Sequence, residues 1–227
     1  MVPFRILTVC TANICRSPVA AALLTIDLSD SLHQGLIEVS SAGTHARESA
    51  PACDVMGARV SEALLSQGSQ LPDTYLHHAA KPLMKEQLAA ADLVLALDRD
   101  HSGAIARLLP AARPKTFTLR QAAALMSPLT KALAQGQLPQ GAPALPPRAE
   151  PTARLDWVVA ELDAGRGLSV IQPEASDGAE ERDEPQSNPY DVLDPHVVGP
   201  SYHASAASRI ISATNRIAEG LTAAMRA

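Results

Sequence analysis

Residues 4–18, FRILTVCTANICRSP, constrain the fold of this chain more than any other stretch. Residues 4–9 form an apolar, β-prone run that leads into Cys10, and an alanine-rich apolar run follows Pro18. This order predicts a strand, a tight loop and the N-terminus of a helix. The inward-pointing amides of such a loop and the positive end of the helix dipole together favour a bound anion.

Two side chains of this loop, Cys10 and Arg16, are candidates for catalysis. A thiol beside a helix N-terminus and a cation has its pKa lowered from about 8.5 to roughly 3.5–7.5, which makes the thiolate available as a nucleophile. The planar guanidinium of Arg16 can hold two oxygens of a bound oxyanion at once. Ser17 can donate a hydrogen bond to the sulfur, and Asn13 tolerates a left-handed backbone. If Cys10 were only a small buried side chain, neither Arg16 nor the polar loop would be explained.

The string CTANICRSP at residues 10–18 resembles the phosphate loop of the low-molecular-weight protein tyrosine phosphatases. The shared features are the C-x5-R spacing, Asn13, Cys15 and the Ser-Pro pair, directly after an N-terminal strand. The resemblance implies that Cys15 can trap Cys10 as a reversible disulfide under oxidant. Ala12 stands where the family usually has glycine, so a negative φ is expected there. The implied phosphate-binding residues are Thr11, Ala12, Asn13, Ile14, Cys15, Arg16 and Ser17.

The resemblance continues after the next two predicted strands. Ser41 opens an SAGT segment, and the resemblance implies that its hydroxyl supports Asn13 through a hydrogen bond. The run DLVLAL at residues 92–97 is typical of a strand buried on both faces of a parallel sheet. Asp98 follows it directly and is therefore expected where ligand-binding groups of open α/β sheets gather. The family's H-x-A-R element appears here as HAAK at residues 78–81.

A general acid is implied near the end of the chain. Asp194 and Pro195 lie shortly before the last predicted helix and match the Asp-Pro pair that carries this role in the family. Asp191 is a second candidate for the same role. Catalysis is therefore assigned to Cys10, Arg16 and Asp194, with Asn13, Ser17, Ser41 and Asp98 in support.

Apolar runs and helical patterns alternate along the chain, while residues 71–78 are expected to be irregular. This alternation predicts an α/β fold: a four-stranded parallel sheet with helices on both faces and the phosphate loop after the first strand. Strands are expected at residues 4–9, 36–40, 92–97 and 115–119, and helices at about 18–33, 55–67, 85–91, 101–109 and 203–225.

A single phosphatase-like domain is expected over residues 1–227, with an insertion at about residues 126–187 that nothing in the family matches. The insertion contains a proline-rich stretch and an acidic run at residues 174–184, which is expected to be mobile. Between them, residues 152–165 predict an amphipathic helix with one apolar face. That face consists of Leu155, Val158, Val159 and Leu162.

Composition sets the expectations about partners and location. The acidic run carries a net charge of −5, which equals the formal net charge of the whole chain. The remaining residues are therefore close to neutral, and no basic stripe indicates binding to nucleic acid. Three cysteines suit a reducing cytoplasm rather than a disulfide framework. No signal peptide is predicted, and no apolar run approaches the roughly 20 residues that span a membrane. The histidines show no metal-ligand spacing, so no metal and no cofactor are expected. No oligomeric state is predicted.

The residues and the resemblance together predict a metal-independent phosphate monoester hydrolase that forms a cysteinyl phosphate. Its substrate would be a phosphorylated protein or a small phosphate ester. The resemblance places aromatic walls for phosphotyrosine after the Asp-Pro pair and after the second strand. Here those places hold His196-Val197 and His45-Ala46-Arg47, so weak binding of phosphotyrosyl peptides is expected.

Two other functions remain open on the sequence. An arsenate reductase could use the same thiolate and anion cradle; no cysteine follows Cys53, so it would depend on a small thiol. A non-catalytic module could bind phosphorylated proteins, with the insertion as recognition surface. The retained Asp-Pro pair and Cys15 favour the phosphatase over the reductase, because an arsenate reductase has no ester leaving group to protonate. The intact Cys10, Arg16 and Asp194 speak against the binding module, since a pure binder has no need of all three.

Overall fold

A computed structural model describes residues 2–66, 68–167 and 188–227. In these ranges four parallel strands form one sheet, in the order β2-β1-β3-β4. The predicted α/β fold, the four strands and the position of the phosphate loop after the first strand are confirmed. The strands are β1 (Phe4–Cys10), β2 (Ile37–Gly43), β3 (Leu93–Ala96) and β4 (Thr116–Thr118).

Ten α-helices lie in the described ranges, and a 3-10 helix at Pro110–Lys115 precedes β4. The helix expected at residues 18–33 is two helices, because Leu28 leaves the helical conformation with its side chain buried. Residues 71–78, expected to be irregular, include one short helix that follows Pro72. The helices are α1 (Arg16–Asp27), α2 (Ser29–His33), α3 (Asp54–Leu65), α4 (Asp73–Leu76), α5 (Lys85–Ala90), α6 (Arg99–Leu108), α7 (Leu119–Ala134), α8 (Pro151–Gly165), α9 (Pro195–Val198) and α10 (Tyr202–Arg226).

Helices cover both faces of the sheet, as the sequence predicts. Successive side chains of a strand point to opposite faces. In β3, Leu93 and Leu95 join the larger core with α1, α3, α7, α8 and α10, whereas Val94 joins a smaller core with α5 and α6. Each fully buried leucine contributes about 1.5–3 kcal/mol through the hydrophobic effect, so both faces stabilise the sheet. The carboxyl ends of β1 and β3 are thereby fixed next to each other.

The insertion expected at about residues 126–187 begins inside a helix, α7. Met126, where the insertion was expected to start, is buried within α7, and this helix continues to Ala134. A Cβ atom on Gly220 of α10 would lie 2.1 Å from Met126 Cγ, so the two helices are in close contact there. In α8 the four residues of the expected apolar face are buried, together with Arg154 and Trp157.

The acidic run expected to be mobile, residues 174–184, lies outside the described residues. Within the described ranges, no helix combines the length and the hydropathy needed to cross a membrane.

Candidate active site

The phosphate loop connects the last residue of β1, Cys10, with the first residue of α1, Arg16. Backbone hydrogen bonds join it to the end of β2, where Thr44 N donates to Cys10 O over 2.9 Å and His45 N donates to Thr11 O over 2.8 Å. The loop therefore opens at the carboxyl end of the sheet, where open α/β proteins bind their ligands.

The loop turns at Asn13, which has φ 54°. Asparagine adopts this left-handed conformation more readily than most residues. Among the described residues other than glycine, positive φ angles occur at Asn13 and Ser49, so Ala12 has the negative φ that the sequence analysis expected. The alanine is therefore compatible with the loop.

The side chain of Asn13 connects the loop to two other segments. Its Nδ2 donates to Ser17 Oγ over 3.0 Å and to Ser41 Oγ over 2.9 Å, and its Oδ1 accepts from Lys81 N over 2.9 Å. His78 Nε2 lies 2.7 Å from Asn13 O. Every polar group of this buried amide is satisfied, which fixes the shape of the loop.

The sulfur of Cys10 is buried, with 2% of the residue exposed. Ser17 Oγ donates a hydrogen bond to Cys10 Sγ over 3.0 Å. A hydroxyl donor stabilises a thiolate more than a thiol, because hydrogen bonds to charged groups are the stronger ones. Ser17 also accepts from Asn13, so its hydroxyl hydrogen is free to point toward the sulfur.

Arg16 lies under the loop and is 2% exposed. Its Nη1 donates to Asp98 Oδ2 over 3.0 Å and to Val192 O over 2.8 Å, and its Nη2 donates to Asp194 Oδ2 over 2.6 Å. Arg16 Nε is buried and has no hydrogen-bond partner among the described residues. A buried donor without an acceptor costs about 1–3 kcal/mol, so this atom favours an oxyanion in the cradle.

Asp98 follows β3 and caps the N-terminus of α6, where its Oδ1 accepts from His101 N over 2.9 Å. Burial alone raises the pKa of Asp98, but the hydrogen bonds and charge of His101 and the charge of Arg16 outweigh it and lower the pKa to about 2. His101 Nδ1 also lies 2.8 Å from Asp98 Oδ1. Asp98 is therefore an ionised counter-charge that orients Arg16.

The two candidate acids have different surroundings. Asp194 caps α9: its Oδ1 accepts from His196 N over 3.0 Å, and its Oδ2 contacts Arg16. Asp191 accepts instead from Arg99 N over 3.0 Å and from Arg99 Nε over 3.3 Å. Asp194 is therefore the carboxylate that reaches the cradle.

Cys15 is the residue before α1 and is buried. Burial raises the pKa of its thiol well above the ordinary value, and the neighbouring Cys53 thiol raises it further. Cys10, Cys15 and Cys53 are all free thiols.

Some groups that support the cradle had no predicted role. His101 Nε2 lies 2.9 Å from Thr11 Oγ1, and the carbonyl of Val192 accepts from Arg16. His78 and the amide of Lys81 both contact Asn13. The resemblance of the HAAK segment at residues 78–81 to a family element could have predicted these two contacts. Nothing in the sequence around Val192 indicates a backbone contact with Arg16.

Comparison with known proteins places this site in a family. The model of the low molecular weight phosphotyrosine protein phosphatases matches residues 5–125, more than half of the chain. The chain belongs to this family. A protein-arginine-phosphatase of Geobacillus stearothermophilus is 38% identical over 119 residues, which are 52% of this chain and 71% of that protein. A low molecular weight protein-tyrosine-phosphatase of Streptomyces coelicolor is 36% identical over 110 residues, 48% of this chain and 62% of that protein.

Solved structures of the family share the fold. The YwlE arginine phosphatase from Geobacillus stearothermophilus superimposes with a TM-score of 0.54 at 25% identity, covering 97% of this chain and 94% of that one. The tyrosine phosphatase AmsI of Erwinia amylovora gives a TM-score of 0.54 at 19% identity, covering 96% of this chain and 91% of that one. The AmsI structure, at this lower identity, supports only the fold of this chain.

As a member of the low molecular weight phosphatase family, the chain is a metal-independent, cysteine-dependent phosphatase. The predicted family, fold class and phosphate monoester hydrolysis through a cysteinyl phosphate are confirmed. Phosphatases of this family act on phosphorylated proteins or phosphate esters. Arsenate reduction and non-catalytic binding are not favoured by these relatives.

Proposed function

We propose that Cys10 is the nucleophile of this phosphatase, Arg16 its oxyanion-binding cation and Asp194 its general acid and base. This assignment rests mainly on one contact: Arg16 Nη2, at the helix end of the Cys10 loop, donates to Asp194 Oδ2 over 2.6 Å. Thr11, Ala12, Asn13, Ile14, Cys15 and Ser17 complete the phosphate-binding loop, while Ser41 and Asp98 support Asn13 and Arg16.

In the first step the thiolate of Cys10 attacks phosphorus in line, and a sulfur–phosphorus bond forms as the bond to the leaving oxygen breaks. Asp194 gives its proton to that oxygen. The equatorial phosphate oxygens bind the loop amides and Arg16, whose unpaired Nε gains an acceptor. For this to happen the phosphate must take the place of Asp194 on the guanidinium.

In the second step a water molecule attacks the phosphorus of the cysteinyl phosphate. Asp194, now ionised, accepts the proton of that water, and the sulfur–phosphorus bond breaks. Ser17 stabilises the departing thiolate of Cys10 through the hydrogen bond already present at 3.0 Å. The products are inorganic phosphate and the regenerated thiolate.

The substrate we propose is a phosphorylated protein that is not held by an aromatic ring. The residues at the two places where the family resemblance puts aromatic walls, here called the rim, include His45, His196 and Val197, all exposed, and Val197 is 83% exposed. None of them offers the large apolar ring that stacks on a phosphotyrosine. A Michaelis constant in the low micromolar range for phosphotyrosyl peptides would contradict this proposal.

A phosphoarginyl protein is a second candidate substrate. It is favoured by the relative named protein-arginine-phosphatase, which is 38% identical over 119 residues. A guanidinium does not need an aromatic stacking partner at the rim, and Asp194 can protonate a leaving nitrogen as well as a leaving oxygen. Peptides of one sequence that carry either phosphoarginine or phosphotyrosine would distinguish the two substrates by their kcat/KM.

Turnover of p-nitrophenyl phosphate and of phenyl phosphate, in the presence of a chelator, tests the assignment. We expect Cys10→Ser to be inactive and Asp194→Asn to lose more activity on phenyl phosphate, because its leaving group is the poorer one. Asp191→Asn is the matched control and should affect both substrates equally. An inert wild type would contradict the proposal and make arsenate with a thiol reductant the next assay.

We also propose that the chain is one phosphatase domain over residues 1–227 with an insertion within residues 126–187. The contacts of α7 and α8 with α10 support the inclusion of both helices in the domain. The three free thiols favour a reducing compartment such as the cytoplasm. Oxidative trapping of Cys10 by Cys15 remains part of the proposal.

A further inference from the structure

Four side chains with metal-ligand chemistry converge behind the phosphate loop. They are Cys15, Cys53, His196 and His203, and one sulfur or ring nitrogen of each lies within 4.8 Å of the others. Cys15 precedes α1, Cys53 precedes α3, and the two histidines lie in the first turns of α9 and α10. Because 181 sequence positions separate Cys15 from His196, no spacing pattern in the sequence indicated this group.

The separation of Cys53 and His203 fits two ligands of one tetrahedral ion. Cys53 Sγ lies 3.6 Å from His203 Nε2. Two ligands on tetrahedral zinc, with a Zn–S distance of about 2.3 Å and a Zn–N distance of about 2.0–2.1 Å, lie about 3.6 Å apart. The imidazole rings of His196 and His203 are 5.2 Å apart and nearly perpendicular, at 86°, so their nitrogens can approach one point from two directions.

His203 is oriented as a metal ligand requires. Its Nδ1 lies 2.9 Å from Pro200 O, so this nitrogen carries the hydrogen and donates it to the carbonyl. The lone pair of Nε2 is then available on the side that faces Cys53. Metal-binding histidines usually donate their second ring nitrogen to a carbonyl or a carboxylate, which fixes the tautomer and the ring orientation. His203 is also 4% exposed, so its ring is held by packing.

The two cysteines are held in place by contacts that do not involve their sulfurs. Cys53 N donates to Ile14 O over 2.7 Å, which joins the residue before α3 to the residue before Cys15. Tyr75 OH donates to Cys53 O over 3.2 Å. Both thiols therefore lie on a rigid backbone before any ion binds.

We propose that Cys15, Cys53, His196 and His203 bind one Zn²⁺ ion. Two thiolates and two imidazoles in tetrahedral arrangement are a typical zinc ligand set. The two thiols release their protons to solvent as two sulfur–zinc bonds form, and the imidazoles bind as neutral ligands. The ion takes no part in phosphoryl transfer. While zinc holds the Cys15 sulfur, that thiolate is not available to form a disulfide with Cys10, so oxidative trapping requires the metal-free chain.

Zinc at this position would connect the phosphate loop to the segment that carries Asp194. Cys15 is next to Arg16, and His196 lies two residues after Asp194 in α9. An ion bound to both would restrict the movement of α9, a four-residue helix whose residues 196–198 are exposed. Zinc occupancy would therefore order the Asp194 segment over the cradle.

The test is a zinc titration of the reduced, metal-free full chain in competition with a chromophoric chelator. We expect one Zn²⁺ per wild-type chain, and an affinity lower by roughly 100-fold in Cys53→Ser and in His203→Gln. Cys10→Ser distinguishes this site from binding at the catalytic thiol and should keep the wild-type affinity. His77→Gln, which removes an exposed histidine outside the group, is the matched control.

Two readouts other than affinity locate the ion. Co²⁺ in place of zinc should give the intense visible bands of a tetrahedral site and a thiolate charge-transfer band, which weakens in Cys53→Ser. Amide hydrogen exchange at residues 196–198 should slow when zinc is added to the wild type but not when it is added to Cys53→Ser. Wild-type affinity in Cys53→Ser or His203→Gln, loss of binding in Cys10→Ser, or no charge-transfer band in the wild type would each overturn the proposal.

Discussion

Arg16 Nη2 donates to Asp194 Oδ2 over 2.6 Å, so the cation proposed to bind phosphate is paired with the carboxylate proposed to act as acid. The Arg16 guanidinium is buried, whereas 24% of the Asp194 side chain is exposed. A buried cation is costly unless it is paired, and here Asp98 and Asp194, the residue that caps α9, supply the partners. A phosphate that enters the cradle can replace Asp194 on Arg16, which leaves the carboxyl group above the leaving oxygen.

Removing the charge of Asp194 should strengthen the binding of inorganic phosphate. In Asp194→Asn no carboxylate competes for Arg16 or repels the incoming anion, so we expect the inhibition constant of phosphate to fall by roughly tenfold. Competitive inhibition of p-nitrophenyl phosphate turnover by phosphate measures this constant. Asp191→Asn, which changes a carboxylate bound to Arg99, is the control and should leave the constant unchanged. A weaker phosphate affinity in Asp194→Asn would contradict the displacement of Asp194 by phosphate.

Loss of the Ser17 hydroxyl should reduce the reactivity of Cys10. The hydroxyl donates to the sulfur over 3.0 Å, and a hydrogen bond to a charged group contributes about 1.5–3 kcal/mol. We expect the rate of iodoacetate alkylation of Cys10 near neutral pH to fall by roughly tenfold in Ser17→Ala. Ser41→Ala should have a smaller effect, because Ser41 contacts Asn13 rather than the sulfur. Equal rates for wild type and Ser17→Ala would show that the hydroxyl does not stabilise the thiolate.

The ionised Asp98 should stabilise the fold at neutral pH and lose this effect in acid. Its pKa is lowered to about 2 in the folded chain, against about 3.9 in an unfolded one. The stabilisation is therefore complete above about pH 4 and disappears as the pH falls toward 2, and it amounts to about 2 kcal/mol. Asparagine keeps the helix cap, so Asp98→Asn isolates the charge.

The free energy of unfolding of wild type and Asp98→Asn, measured at pH 6 and again near pH 2.5, checks this expectation. The difference should shrink at the lower pH, whereas Asp100→Asn, at an exposed position, should show little difference at either pH. A difference that is the same at both pH values would mean that Asp98 acts through its shape rather than its charge.

Gly43 should tolerate no side chain. It lies opposite Cys10 in the β1–β2 pair, and a Cβ atom there would be 2.6 Å from Thr11 O and 2.9 Å from Asn13 N. Both atoms belong to the phosphate loop backbone, so Gly43→Ala should shift the loop and lower both stability and kcat.

Gly103→Ala is the control for this substitution. The added Cβ would lie 3.4 Å from the flexible end of the Arg107 side chain, and we expect the free energy of unfolding to rise by about 0.5–1 kcal/mol because alanine favours helix α6. Thermal unfolding and turnover of the two variants are the measurements, and wild-type activity in Gly43→Ala would contradict the geometry of the loop.

Arg154 should attach α8 to the rest of the domain. Its Nε donates to Pro146 O over 2.7 Å and its Nη1 to Ala224 O over 3.0 Å, with the side chain buried. Arg154→Met would leave these carbonyls without a donor, at a cost of about 2 kcal/mol or more in unfolding free energy. Arg59→Met removes only an exposed ion pair and serves as the control. Denaturant unfolding measures both variants, and equal stability would show that α8 is not part of the folded body.

The fold and the cradle are predictable where the information is local. Residues 4–18 hold the strand, the loop, the nucleophile and the arginine in one continuous stretch, and the structure keeps that order. The contact between Ser41 and Asn13 was expected only through the family resemblance, since residue types alone do not predict it. The uninterrupted apolar run at residues 92–97 predicted that β3 is buried on both faces, and the structure confirms it.

Other features of the site depend on contacts between distant residues, which the apolar periodicity of the sequence does not predict. The carbonyl of Val192 reaches Arg16 across 176 positions, and Cys53 meets His203 across 150. Such pairs form because the strand order and the helix packing bring distant segments to one end of the sheet. The short helix α4 was missed for a different reason: four residues are too few for an apolar period to appear.

Trapping the covalent intermediate tests the central assignment most directly. Asp194→Asn mixed with p-nitrophenyl phosphate has a good leaving group for the first step but lacks the base for the second, so the cysteinyl phosphate should accumulate. After rapid quenching, mass analysis of peptides should place one phosphoryl group on Cys10, and Cys10→Ser should yield no phosphorylated cysteine. Phosphate on another residue, or turnover with no phosphoryl group on the chain, would contradict the account.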